Sequence, residues 1–247
     1  MKRPLIIFAF AALFGVQASH AQQNDDFSFG IFNHLSVGAS FGTTGLGLEL
    51  AAPITEYIDV RAGYSFLPKI SYKTDVDYKS HGQTKQTEVE GKLNWGDAKL
   101  LFDVYPFKGS SFHATVGAYL GKDEIVKVQN NDPLNDVEEG EGLFIGDYIV
   151  GVDENKIAHA TINVKKFKPY VGIGIGRSVP KKRVGVAADL GVQFWGSPTV
   201  YGLTLDGQHW QKVTSKDTGH EDGGFIETVS KITVFPVLTI RINGRIF

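Results

Sequence analysis

Cysteine is absent from the 247-residue chain, and methionine occurs once. Disulfide staples, thiolate-held metals and a cysteine-linked lipid anchor are therefore all excluded. Long hydrophobic runs are nearly absent too. The one that occurs, Leu5 to Val16, is twelve residues long, whereas a spanning helix needs about 20. It follows Lys2 and Arg3 and precedes "SHA", where Ser19 and Ala21 supply the small residues of a cleavage site. Residues 1–21 thus read as a secretory signal peptide and 22–247 as one mature domain. A dominant charge of one sign is also lacking. Without Lys2 and Arg3 the chain has 23 basic against 27 acidic residues, which suggests no nucleic-acid partner.

What is present is glycine, 29 residues of it, and a period-two pattern. Eight segments alternate: 33–41, 44–50, 57–66, 95–105, 111–120, 170–176, 182–194 and 237–247. In "YIDVRAGYSF", Ile58, Val60, Ala62, Tyr64 and Phe66 face one way, and Asp59, Arg61, Gly63 and Ser65 the other. Helical periodicity is close to absent, so the fold is all-β. A soluble sandwich also alternates, and the connections separate the two cases. The turns around Pro53, Pro106 and Pro180 are short. At the opposite strand ends one link, near Gly42, is tight, while 67–94, 122–167 and 195–231 are long. Short turns on one side and long loops on the other mark a membrane barrel.

Aromatics point the same way. Tyr57, Tyr105, Phe107, Phe112 and Phe247 lie at the short-turn ends, and Phe41, Phe66, Trp95, Tyr170, Phe194 and Trp195 near the long-loop ends. These are two expected interfacial girdles. The segment "GLFIGDYIVGVDENKIAHATINV" reads as an extra hairpin turning at Asp153 to Lys156. It would raise the barrel wall above the membrane, or bring the count to ten strands if it reached the bilayer.

The chain closes on "VLTIRINGRIF". Together, "FKPYVGIGIGRSVPKKRVGVAADLGVQFWGSP" and "FPVLTIRINGRIF" resemble the closing strands of small Gram-negative outer-membrane proteins, the OmpW- or OmpA-like barrels. The resemblance implies an eight-stranded antiparallel transmembrane up-and-down β-barrel with both termini periplasmic and the long loops extracellular. It further implies outer-membrane lipid and lipopolysaccharide as surroundings, with Phe247 as the insertion signal read by the barrel-insertion machinery. Phe247 departs from the usual parity, since it goes with Arg241 and Arg245. That requires a bulge near Gly244 or a variant signal.

Chemical motifs are weak. "GIGIGRS" at Gly172 to Ser178 lacks the helix and lysine of a phosphate loop, and inward glycines of a narrow barrel account for it better. His34 and His113 sit at the turn ends, while His81, His209 and His220 fall in loops. No catalytic residue, cofactor or metal is expected from them. The acidic stretches Asn130 to Gly142 and Lys216 to Gly224 lack ordered Ca²⁺-ligand spacing. The informative set faces inward: Glu49, Asp59, Arg61, Asp97, Lys99, Asp103, Asp189, Arg241 and Arg245. An eight-stranded barrel is filled by its side chains or holds one small ligand, and buried charges must pair. The expectation is an ion-paired lumen centred on Arg61 and Lys99. These two are placed in opposite vertical halves, each with acids of its own strand within reach, Asp59 for Arg61 and Asp97 and Asp103 for Lys99, and both are expected to meet those acids, Glu49, Asp189 or trapped water. The functional readings are a structural or surface-interaction barrel, a narrow OmpW-like channel for small solutes, or a barrel enzyme acting on lipid or peptide, with no extracellular ligand indicated.

Overall fold

The computed structural model describes residues 29–138, 140–145, 148–214 and 225–247. The signal peptide and the whole acidic stretch at 216–224, His220 included, lie outside the described residues. The strands, in chain order, begin with β1 (Ser36–Gly42), β2 (Gly45–Thr55), β3 (Ile58–Phe66), β4 (Ile70–Ser80) and β5 (Gln83–Leu93). Then come β6 (Gly96–Val104), β7 (Phe112–Gly121), β8 (Glu124–Asn130), β9 (Leu143–Ile145), β10 (Tyr148–Val150) and β11 (His159–Asn163). The series ends with β12 (Phe167–Ile175), β13 (Val184–Phe194), β14 (Thr199–Leu203), β15 (Trp210–Val213), helix α1 (Phe225–Lys231) and β16 (Val234–Arg245).

Eight of these close an antiparallel barrel in the order β1-β16-β13-β12-β7-β6-β3-β2. They are the eight segments that alternate. Period two sends one side of each strand inward, and closure leaves no strand edge unpaired. On the outer side Leu48, Ile173, Val186, Leu190 and Leu238 are exposed. Such an apolar belt is what a barrel offers to hydrocarbon rather than to water.

The long loops are not loops. They form a second sheet in the order β10-β9-β4-β5-β8-β11-β14-β15. β4 follows β3 directly, β5 leads into β6, β8 follows β7, β11 leads into β12 and β14 follows β13. The wall therefore rises past the belt at five of the eight strands; β1 and β2 are joined by the two residues Thr43 and Thr44, and β16 is entered from helix α1. Inside the extension pack Tyr78, Val89, Leu134, Leu143, Val150 and Leu203. At the mouth of the barrel Trp95, Trp195, Ile125 and Val164 form a separate plug with Phe235.

Several expectations are corrected. The turn at Asp153 to Lys156 exists, closed by Lys156 N–H donating to the Asp153 carbonyl at 2.9 Å. It joins β10 to β11 across a single bridge, Val152 with Ala158, and adds nothing to the barrel, so the ten-strand alternative falls. No bulge occurs at Gly244, which stays in register with Val37 and Val184. Phe247 is exposed beyond the strand end, where parity no longer binds it. Of the girdle residues, Tyr105, Trp95, Tyr170 and Trp195 are buried inside. Tyr105 and Tyr170 have inward parity, and the raised wall covers Trp95 and Trp195. Pro53 belongs to β2, and its turn is Glu56–Tyr57. The acidic stretch at 130–142 is docked rather than free. Asp136 accepts from Lys85 and from Tyr78, and Glu141 accepts from the His81 and Gly82 amides.

Candidate functional site

Inward parity brings Glu49, Asp59, Arg61, Asp97, Lys99, Asp103, Asp189 and Arg241 into the lumen, all buried. Arg245 is not with them. It sits half-exposed at the strand end and donates from Nη1 to the Lys181 carbonyl at 2.8 Å. Two other cations are buried in the lumen, Lys168 and Arg177. With them, five buried acids meet five buried bases, and charge balance is restored. Lys168 shares the inward parity of Tyr170, a signal that was available in the sequence. Arg177 lies past the end of β12, and no periodicity points to it.

The central layer is one connected network. Lys99 Nζ donates to Glu49 Oε1 at 2.6 Å, and Arg61 Nη1 donates to Glu49 Oε2 at 3.1 Å. Arg61 Nη2 donates to Asp103 Oδ1 at 2.8 Å and lies 3.5 Å from Asp189 Oδ1. Arg241, on the neighbouring strand β16, clasps Asp189, with Nε to Oδ2 at 2.7 Å and Nη2 to Oδ1 at 3.0 Å. His113 Nε2 joins Asp189 Oδ1 at 2.8 Å, and Thr115 donates to Asp103 at 2.7 Å. Arg61 and Lys99 thus meet on one carboxylate, and the expected separation into vertical halves is wrong. The register explains it: Glu49, Gly63 and Lys99 stand side by side across β2, β3 and β6.

Against this layer Leu101, Tyr119, Tyr170 and Val237 pack together, Leu101 abreast of Arg61 and Tyr119 abreast of Lys99. The space left among Glu49, Arg61, Lys99, these side chains, Asp189 and Thr239 has essentially no volume for a water-sized sphere. Inward glycines make this filling possible. A Cβ at Gly174 would stand 2.5 Å from His113 Nε2 and 2.7 Å from Asp189 Oδ1. Higher in the barrel, Asp97 takes Lys168 Nζ at 2.6 Å, with the ammonium 5.2 Å from the Trp95 ring centre.

The turn-side end is closed by the β12–β13 connection, which folds into the barrel. Ser178 and Val179 are buried. The Ser178 hydroxyl donates to Asp103 and accepts from Arg241, and its amide donates to the Tyr105 hydroxyl at 3.1 Å. Val179 N–H points to Asp59 at 3.4 Å. Asp59 therefore faces this connection rather than Arg61. Arg177 is sandwiched between Phe29 and Tyr105, each ring centre 4.1 Å from its guanidinium carbon.

One metal-like constellation occurs among the described residues: Asp103, His113 and Asp189 offer ligand atoms within 4.8 Å of one another. Arg61 and Arg241 already hold those carboxylates, so an added cation would meet like charge. Three histidines of the outer sheet touch carboxylates: His81 with Glu138, His159 with Asp153, and His209 with Asp206. The bonds described for their ring nitrogens reach no hydroxyl that could serve as a nucleophile.

No family model matches the chain, and no curated protein matches its sequence. Among solved structures, CarO2 of Acinetobacter baumannii is 17% identical at a TM-score of 0.47, over 86% of this chain and 98% of that one. CarO of the same organism is 18% identical at 0.46, over 87% and 99%. A major outer membrane protein of Thermus thermophilus is 16% identical at 0.37, over 86% and 98%. None of the three bears an OmpW or OmpA name.

Proposed function

We propose that this is an outer-membrane barrel that does not conduct, and that it carries its long-loop sheet outward as a structural or surface-interaction module. The observation that carries this reading is the central network, Lys99–Glu49–Arg61–Asp103–Asp189–Arg241, which joins opposite walls beside a gap with essentially no volume for a water-sized sphere. Solute transport would have to break several buried ion pairs. Losing one partner of such a pair costs about 3–5 kcal/mol.

The exposed apolar belt supports membrane insertion, with lipid and lipopolysaccharide as the natural surroundings. Phe247, exposed at the end of the closing strand, fits a role with the insertion machinery. No catalytic role is proposed: at the exposed His209–Asp206 pair the neighbouring Thr204 hydroxyl donates to Asp206 and not to the imidazole.

Single-channel recording of the refolded barrel in planar bilayers tests the central claim. No steady conductance is expected. Steady conductance in the wild type would replace this reading with the narrow OmpW-like channel. Orientation is tested separately, aided by the absence of native cysteine. Tyr72→Cys, on the outer sheet, should react with an impermeant maleimide on whole cells, and Phe107→Cys, at a short turn, should not.

A further inference from the structure

On the outward face of the raised wall, just past the belt, Glu124, Thr161, Asn163, Tyr201 and Trp210 line an open groove of about 240 Å³. At the ~30 Å³ that a liquid water occupies, that is the scale of one or two sugar rings rather than of a chain. We propose that this groove binds a saccharide, the head-group sugar of the glycolipid in the barrel's own outer leaflet.

The groove's chemistry favours a saccharide over a hydrophobic tail or a bare anion. Trp210 presents an exposed indole beside His159. An aromatic face carries partial negative charge, which attracts the weakly positive C–H face of a pyranose. Asn163 Oδ1 is buried with no hydrogen-bond partner among the described residues. A ligand hydroxyl donating to it would remove an unmet need worth about 1–3 kcal/mol. Glu124 adds a carboxylate acceptor, held by Lys127 Nζ at 3.1 Å, and that ammonium remains half-exposed as a donor. Together they form an aromatic plate edged by acceptors and donors, which suits a ring with one apolar face and a rim of hydroxyls.

Position selects the source. Asn163 ends β11, four residues before the exposed Phe167 that opens β12. Glu124 likewise starts β8 four residues after the exposed Leu120. At no more than about 3.3 Å per residue, the groove lies at most about 13 Å along the chain beyond the belt. That is the level of a glycolipid's sugars, not of its acyl chains. The assignment to the leaflet rests on the outer-membrane reading above.

The test uses the full refolded barrel in detergent and the acrylamide quenching of its tryptophan. Trp95 and Trp195 are buried, so Trp210 supplies the quenchable signal, and Trp210→Phe should remove it. Rough lipopolysaccharide bearing core sugars should shield Trp210 saturably, and lipid A stripped of core sugars should not. Asn163→Ala and Glu124→Ala should each raise the half-shielding concentration about tenfold. Heat-modifiable gel migration confirms that each variant is folded. The proposal is overturned by equal shielding from sugar-free lipid A, by no shielding from the core-bearing form, or by shielding that both substitutions leave unchanged. Free core oligosaccharide binding as tightly as the whole glycolipid would overturn the leaflet as the source. None of these outcomes depends on conductance or on insertion into a bilayer, so a failure here is distinguishable from failure of the functional reading.

Discussion

Glu49 and Lys99 bond at 2.6 Å across the empty place that Gly63 leaves between them. The three stand abreast on neighbouring strands, and the middle one has no side chain. A Cβ at Gly63 would lie 2.5 Å from the Leu48 carbonyl and 3.0 Å from Glu49 Cγ. Gly63→Ala is therefore expected to overpack the lumen, at about 1–3 kcal/mol. Urea midpoints of the refolded barrel, wild type against variant, check this. An unchanged midpoint would mean that the Glu49 level is looser than described.

Arg61 touches Glu49, Asp103 and Asp189. Arg61→Ala leaves these buried carboxylates short of a cation, and the expected loss is about 3–5 kcal/mol. A solvated lumen would screen the loss to roughly 0–1 kcal/mol. The urea midpoint separates the two cases, and a loss in the lower range would argue for a wet, conducting interior.

Leu190 and Tyr72 are both exposed apolar side chains, but only Leu190 belongs to the belt. Leu190→Arg should cost about 2–4 kcal/mol in a bilayer if that position lies at the midplane. Tyr72→Arg, on the outer sheet, should stay within about 0.5 kcal/mol. Equal costs measured in lipid vesicles would show that the belt is misplaced.

The outer sheet should respond to acid. The Lys85 ammonium, hydrogen-bonded to Asp136, holds that carboxyl at about 2, below its ordinary 3.8. A group depressed in the folded state contributes stability above its ordinary value and loses it as pH falls through the folded one. The clasp of Asp136 on β4 and β5 is thus expected to be intact above about pH 4 and released towards pH 2. Hydrogen exchange of the amides around Ser80 and Asp136 follows it. Protection unchanged down to pH 2 would remove Asp136 from this role.

The sequence by itself determined the barrel. Period-two alternation is a local property, so eight strands, their inward charges and their outward belt could be read without knowing any partner. Lys168 was legible by the same rule, two residues before Tyr170 on the same face. The outer sheet was not. β4, "ISYKTDVDYKS", is mostly exposed and β5, "QTKQTEVEGKL", about half exposed, and their buried apolar residues, Tyr78 and Val89, are too few to make an apolar alternation. Which carboxylate each cation meets was also beyond the sequence, because Arg61 reaches Asp189 across the lumen from β3 to β13. Only closure of the barrel sets that distance. Tertiary structure likewise decided the fate of Arg177, Ser178 and Val179, residues of a short turn that could as well have faced water. They fold inward, where the Ser178 hydroxyl adds a partner to Asp103 and to Arg241 and the Val179 amide adds one to Asp59, completing groups that their own strands bury.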